Sequence, residues 1–110
     1  RTWVEYRLFP CDRGDMGTSA LRRIRAAVRQ RRYELTAHAL EEMDDDELSE
    51  ADVCEIVLRG SIVAELTHDP RGLRFVLRGK LANRTNEVEV VCRFLPSERL
   101  RIITVYAMEQ

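Results

Sequence analysis

His38, one of two histidines in the chain, lies in the run TAHALEEMDDDE (residues 36–47). Glu41 and Glu42 follow it by one helical turn, and four consecutive acids run from Asp44 to Glu47. An imidazole beside carboxylates at a helix start can relay a proton, help to hold a metal, or simply cap the helix. The positive helix end disfavours the protonated ring, whereas carboxylates at i+3 and i+4 favour it. Imidazole ordinarily titrates around neutral pH, so this setting suits a general acid or base. A histidine bonded to a backbone carbonyl or carboxylate, with no chemistry, fits the same spacing.

A second set of residues is cationic. Arg74, Arg78, Lys80, Arg93, Arg99 and Arg101 fall in the second half of the chain, in segments that read as strands. Arginine meets phosphate oxygens with a two-pronged set of donors, so a row on adjacent strands could grip an RNA backbone. Exposed strands also need polar faces, and edge charges block aggregation. Few aromatics interleave with these cations, which argues against a stacking platform for single strands. Thr104 and Tyr106 share one side of the last strand, where a hydroxyl and a phenol could orient a phosphate. Both residue types are also strong strand formers. The acid run lacks the glycine and alternating ligands of a calcium loop and reads as a solvated helix end. No metal or other cofactor is expected.

These groups must be positioned by helices first and strands afterwards. Val4, Tyr6 and Leu8 alternate with Glu5 and Arg7, which suggests a short N-terminal strand, and the loop CDRGDMGTS follows. Residues 1–17 read as an arm and 18–110 as the domain. Ser19 or Thr18 is expected to cap a helix reaching about Arg32, with Leu21, Ile24, Ala27 and Val28 as its apolar stripe. Thr36 caps a second helix facing inward through Leu40 and Met43. Ser49, with Asp52 as a variant capping box, opens a third helix that ends at Gly60.

Beyond Gly60 the period changes from helix to strand. Residues 61–66, 73–79, 88–95 and 100–106 are rich in β-branched and apolar side chains. Asp69-Pro70-Arg71-Gly72 and Pro96-Ser97-Glu98-Arg99 supply turns. The fold expected is α+β, with N-terminal helices on one face of a four-stranded antiparallel sheet. The other face carries the arginines and is the candidate working surface.

At 110 residues the chain makes one domain with a modest core. Its net charge of −1 hides a strong asymmetry. Residues 1–33 hold nine arginines against three acids (+6), residues 34–69 one arginine against twelve acids (−11), and residues 70–110 eight cations against four acids (+4). Such a surface can hold RNA or an acidic partner on one side and repel it on the other. Cys11, Cys54 and Cys92 are odd in number and far apart, which points to reduced thiols in a cytoplasm and excludes a cysteine zinc site. The longest apolar run falls far short of a membrane span and no leader is recognisable, so no membrane association is expected.

Several segments in this order carry a resemblance: HALEEM at 38–43, LSEADV at 48–53, Leu58-Arg59-Gly60 with Ile62, and IITVY at 102–106. Together they resemble a family of small bacterial proteins catalogued as a domain of unknown function and grouped by fold with barnase, EndoU, colicin and RelE-like ribonuclease toxins. The resemblance implies a RelE-like fold and the toxin half of a toxin–antitoxin pair, inhibited by a cognate antitoxin of the zinc-finger type. It implies RNA cleavage without metal. His38 would serve as base or acid, Arg78 and then Arg74 would act on the phosphate, and Thr104 would position it. Many relatives carry arginine where this chain has Glu42, so one cation expected near the site is missing. The residues also fit a second reading, a non-catalytic RelE-like module, able to form a homodimer, that holds a protein partner.

Overall fold

The change of period near residue 60 splits the chain into a helical first half and a stranded second half. The computed structural model, which describes residues 6–8, 15–67 and 72–108, follows that split. In chain order the elements are β1 (Tyr6–Leu8), α1 (Asp15–Arg29), β2 (Tyr33–Leu35), α2 (Ala37–Asp45), α3 (Glu50–Arg59), β3 (Ser61–Leu66), β4 (Arg74–Lys80), β5 (Glu87–Phe94) and β6 (Leu100–Ala107). Cys11, His68 and the first three residues of the turn expected at 69–72 lie outside the described residues.

Short polar side chains set the starts of two helices. Thr36 is extended at φ −72° and ψ 162°, and its hydroxyl accepts the Ala39 N–H at 3.0 Å. At α3 the capping box is complete, because the Ser49 N–H donates to Asp52 Oδ2 at 3.0 Å and the Asp52 N–H donates to Ser49 Oγ at 3.1 Å. The first helix differs from expectation. It starts at Asp15, so Thr18 and Ser19 lie inside it rather than capping it, and it runs across the boundary expected at residue 17. It also stops earlier, at Arg29, and Arg31 in the left-handed region at φ 61° turns the chain into β2.

Gly60 ends α3 for a steric reason. Its φ of −79° is open to any residue. A Cβ there would lie 2.6 Å from both the Arg78 and the Ile56 carbonyl oxygens, so the glycine lets the helix end press against β4.

The sheet corrects the expected four-stranded antiparallel arrangement. Its order is β1-β3-β4-β5-β6-β2, and the meander β3–β6 is antiparallel as the turns require. The three-residue strand β2 adds to β6 in parallel, pairing Tyr33 with Leu100 and Leu35 with Ile102, so the sheet is mixed. At the opposite edge β1 pairs antiparallel with β3. A register shift between Val91 and Cys92 on β5, opposite Thr104 and Ile102 on β6, leaves Ile103 as an extra residue. The shift lets Ile102 and Val105 both reach the core while Thr104 pairs with Val91 and Tyr106 with Glu89.

All three helices cover one face. Ile24, Ala27 and Val28 from α1, Ala39 and Met43 from α2, and Val53, Ile56 and Val57 from α3 meet Phe75, Leu77, Val88, Val90, Cys92, Leu100, Ile102 and Val105. Burial of this apolar surface is the main stabilising term. Leu40, expected to face inward, is instead 49% exposed. The reason is that α2 sits against the free edge of β6 and buries Ala39 and Met43 while turning Leu40 to solvent. The opposite face has a second, smaller cluster of Ala64, Leu66, Val76 and Val91 with Val63 against it.

Candidate functional site

The second helix is held to β6 by polar side chains, and this sets where His38 stands. Beyond residue 102 β2 ends, and the N–H and C=O groups of β6 need other partners. The Thr36 N–H donates to the Ile102 carbonyl and its hydroxyl to the Ile103 carbonyl at 3.0 Å. Further along, Glu42 Oε1 accepts the Val105 N–H at 2.9 Å and Asp46 Oδ2 accepts the Ala107 N–H at 2.8 Å. Four residues of helix rise about 6 Å and two residues of strand about 6.6 Å. Carboxylates at i and i+4 therefore match alternate N–H groups along a strand edge. Asp46 is thus a structural acceptor rather than part of a solvated acid run. Arg84, from the 81–86 loop, donates to the Asp46 carbonyl at 3.0 Å and to the Glu47 carbonyl, which fixes the other end of the helix.

On this strapped helix His38 is exposed, with 58% of its side chain open, and its Nε2 lies 3.3 Å from Glu42 Oε2. The same carboxylate that closes the β6 edge therefore holds the ring. With Nε2 turned to Glu42, Nδ1 is the nitrogen left for another group.

The sheet face away from the helices carries the cationic residues, arranged in cross-strand rows. Arg78, Glu89 and Tyr106 form one row through β4, β5 and β6. Arg78 Nη2 donates to Glu89 Oε2 at 2.8 Å, and the Tyr106 hydroxyl donates to Glu89 Oε1. Glu89 is 3% exposed. The hydrogen bond to Glu89 raises the Arg78 pKa, so its charge is permanent. Arg78 Nε is buried with no hydrogen-bond acceptor. Near the other end of the strands Arg93 pairs with Arg101 across β5 and β6. Glu34 on β2 accepts from Arg101 Nε at 2.8 Å and lies 3.8 Å from Arg99. Arg93 is buried, Arg74 half-buried and Lys80 exposed at the end of β4. Thr104 is only 4% exposed and shares its row with Val91, so its hydroxyl is not on offer to a bound phosphate.

The candidates are therefore only partly assembled. Thr104 and Tyr106 stand on the strand that α2 borders, and Arg78 joins them through Glu89. His38 makes its ion pair with Glu42 and with no arginine among the described residues. Arg78 is on β4, two strands and roughly 10 Å of sheet from β6, with His38 beyond the β6 edge. Arg74, Arg93 and Arg101 fall toward the far end. Glu89, Asp46 and Arg84 were not foreseen, and neither was the bond of Glu42, expected beside His38, to the β6 edge. The i, i+4 spacing of Glu42 and Asp46 was the available signal for two of them; Glu89 and Arg84 gain their roles through tertiary register.

Two other titratable groups are perturbed away from this face. Burial pushes the Cys92 thiol up to about 12. The Tyr33 phenol is pushed well above its usual value by hydrogen bonds with the Cys54 thiol and the Glu50 carboxylate. Among the described residues no three His, Cys, Asp or Glu side chains converge as a metal site requires. None of the described helices is long and apolar enough to cross a membrane.

Residues 35–107 match the model of a family described as a domain of unknown function, DUF4258. The chain belongs to that family. The DUF4258 match starts at the end of β2 and takes in α2, α3 and the β3–β6 meander. It includes His38, Glu42 and every cation of the open face, and leaves α1 outside. No curated protein and no solved structure matches the chain.

Proposed function

We propose that this DUF4258 protein is a metal-independent endoribonuclease, the toxin half of a toxin–antitoxin pair, held in check by a cognate antitoxin protein of zinc-finger type. The reading is carried by one observation: a solvent-facing imidazole, held 3.3 Å from a carboxylate that is itself anchored on the Val105 N–H, at the edge of a sheet whose face away from the helices bears the arginines. In the proposed reaction His38 Nδ1 takes the proton of a ribose 2′-hydroxyl, and that oxygen attacks the adjacent phosphorus. The bond to the 5′ oxygen breaks, the leaving oxygen takes a proton from solvent, and a 2′,3′-cyclic phosphate remains. Glu42 orients the ring and stabilises the imidazolium, much as a buried carboxylate supports a catalytic histidine elsewhere. Arg78, two strands in from β6, binds a phosphate next to the one that reacts, with Tyr106 beside it. Lys80 at one end of the face and Arg74 and Arg101 at the other bind flanking phosphates, whereas Arg93 is too buried to reach one. No role in contacting substrate is kept for Thr104.

A second reading, a non-catalytic RelE-like module holding a protein partner, is favoured by a different observation. Arg78 and Arg101 already have internal carboxylate partners, so part of the phosphate-gripping charge is neutralised. Cleavage of a fluorogenic RNA in the presence of EDTA separates the two. Under the nuclease reading His38→Ala slows cleavage about 100-fold or more, and Glu42→Gln slows it by a smaller factor. Unchanged cleavage by His38→Ala defeats the site, and absence of cleavage by the parent protein favours the module.

A further inference from the structure

We infer that a groove on α1, formed by Leu21, Arg22, Arg25 and Arg29, is the docking surface for an acidic amphipathic helix of a partner protein. The groove holds about 360 Å³ and, among the described residues, is lined by those four. Its arginines fall at i, i+3 and i+7, which places them along one face of α1 with rises of about 4.5 and 6 Å between them. Arg25 is fixed in place, since its Nε donates to the Val57 carbonyl at 3.2 Å and its Nη2 to the Gly60 carbonyl at 2.7 Å. Arg22 and Arg29 are exposed, and among the described residues neither forms an ion pair. Acids outnumber arginines twelve to one in residues 34–69, yet none of the described ones forms an ion pair with these two.

Unpaired guanidiniums gathered in a concavity focus positive potential there, and their planar forks match carboxylates two bonds at a time. Leu21 adds an apolar floor, and a partner helix bearing leucine and glutamate on one face would satisfy both demands. A nucleic acid fits less well. The ring that α1 does meet, Phe94, is covered by the Arg23 guanidinium at 4.3 Å and offers no face to a base. The groove belongs to the helical layer and the cationic rows to the opposite face, so the inference stands independently of the nuclease reading.

The test is fluorescence anisotropy at low salt with a labelled helical peptide whose glutamates and leucines share one face, against a twin with glutamine for glutamate. The parent protein binds the glutamate peptide, binding weakens as salt rises, and the double variant R22E/R29E binds at least about tenfold more weakly. Both positions are exposed, so an unchanged melting temperature shows that the variant remains folded. His38→Ala binds like the parent, which separates this result from any failure of the nuclease reading. The inference is overturned by equal affinity of the double variant, by equal binding of the glutamine twin, or by no binding of the glutamate peptide. It is also overturned by a labelled oligouridylate that displaces the peptide and loses affinity through the same double substitution.

Discussion

The two faces of the sheet are built on opposite chemistries. Beneath the helices Leu77, Val90, Ile102 and their neighbours are apolar and fully buried. On the other face, where none of the described helices lies, Glu89, Arg93 and Thr104 are nearly as inaccessible as Val76 and Val91. One face is stabilised by removing hydrocarbon from water, and any side chain of similar shape would serve. The other depends on partners, because each desolvated charge must meet its complement across the strands. Stability on the first face is thus spread over many contacts, and on the second it is concentrated in a few pairs. A surface of fixed, mutually oriented charges is also what recognition of a charged substrate or partner demands.

That contrast can be broken from either side. The largest effect is expected from Leu77→Ala beneath the helices, about 3 kcal/mol in denaturant unfolding, whereas Val76→Ala in the smaller cluster of the opposite face costs about half as much. Equal losses would show that the smaller cluster is packed like the core. Glu89→Ala, which strands Arg78 and Tyr106 together, is expected to cost about 2 kcal/mol, reduced from a fully buried pair because Arg78 reaches solvent. The double variant Glu89→Leu with Arg78→Leu should recover most of that loss. If it does not, the row is more than a charge pair.

The faces also differ in titration. The Cys92 thiol is raised from 9.0 to about 12 by burial, so the folded chain keeps a proton that the unfolded chain loses. Stability is therefore intact below pH 9 and falls as pH rises from 9 toward 12, by about 1.4 kcal/mol at pH 10. Tyr33, raised for a different reason, deepens the fall above pH 10. Cys92→Ala lowers stability at every pH but should flatten the profile between pH 8 and 10; a slope that survives places its origin elsewhere. The smallest effect is expected from Arg84→Ala, about 1 kcal/mol. It should show first as faster hydrogen exchange at the Val105 and Ala107 amides, and unchanged exchange would mean that the loop does not steady α2.

Local chemistry was legible in the sequence and long-range register was not. Thr36 and the Ser49–Asp52 box start α2 and α3 as expected, because a cap is a contact between residues two or three apart. The meander followed from alternating residues and turn-forming tetrapeptides. The strand β2 escaped because three residues carry no period and its parallel partner lies 67 positions away. The register shift at Ile103 escaped because the alternation of β6 reads normally until β5 is laid beside it. Among the site candidates, Arg78 and Tyr106 do share a row, yet the carboxylate that joins them, Glu89, looked like an ordinary outward residue of a strand. His38 stood out by type. Its i+4 partner Glu42 was legible from spacing as well, but not that the same carboxylate would also anchor the strand.

The match between helix rise and strand rise along the 103–107 edge couples the lengths of two elements that are far apart in the chain. Inserting one residue between Glu42 and Asp46 swings the second carboxylate about a third of the way round its helix, while inserting one between Val105 and Ala107 inverts the amide it should meet. Insertions and deletions in either segment should thus be selected against unless the other changes in step. A library of single-codon indels ought to reveal these two short stretches as the least elastic parts of the chain.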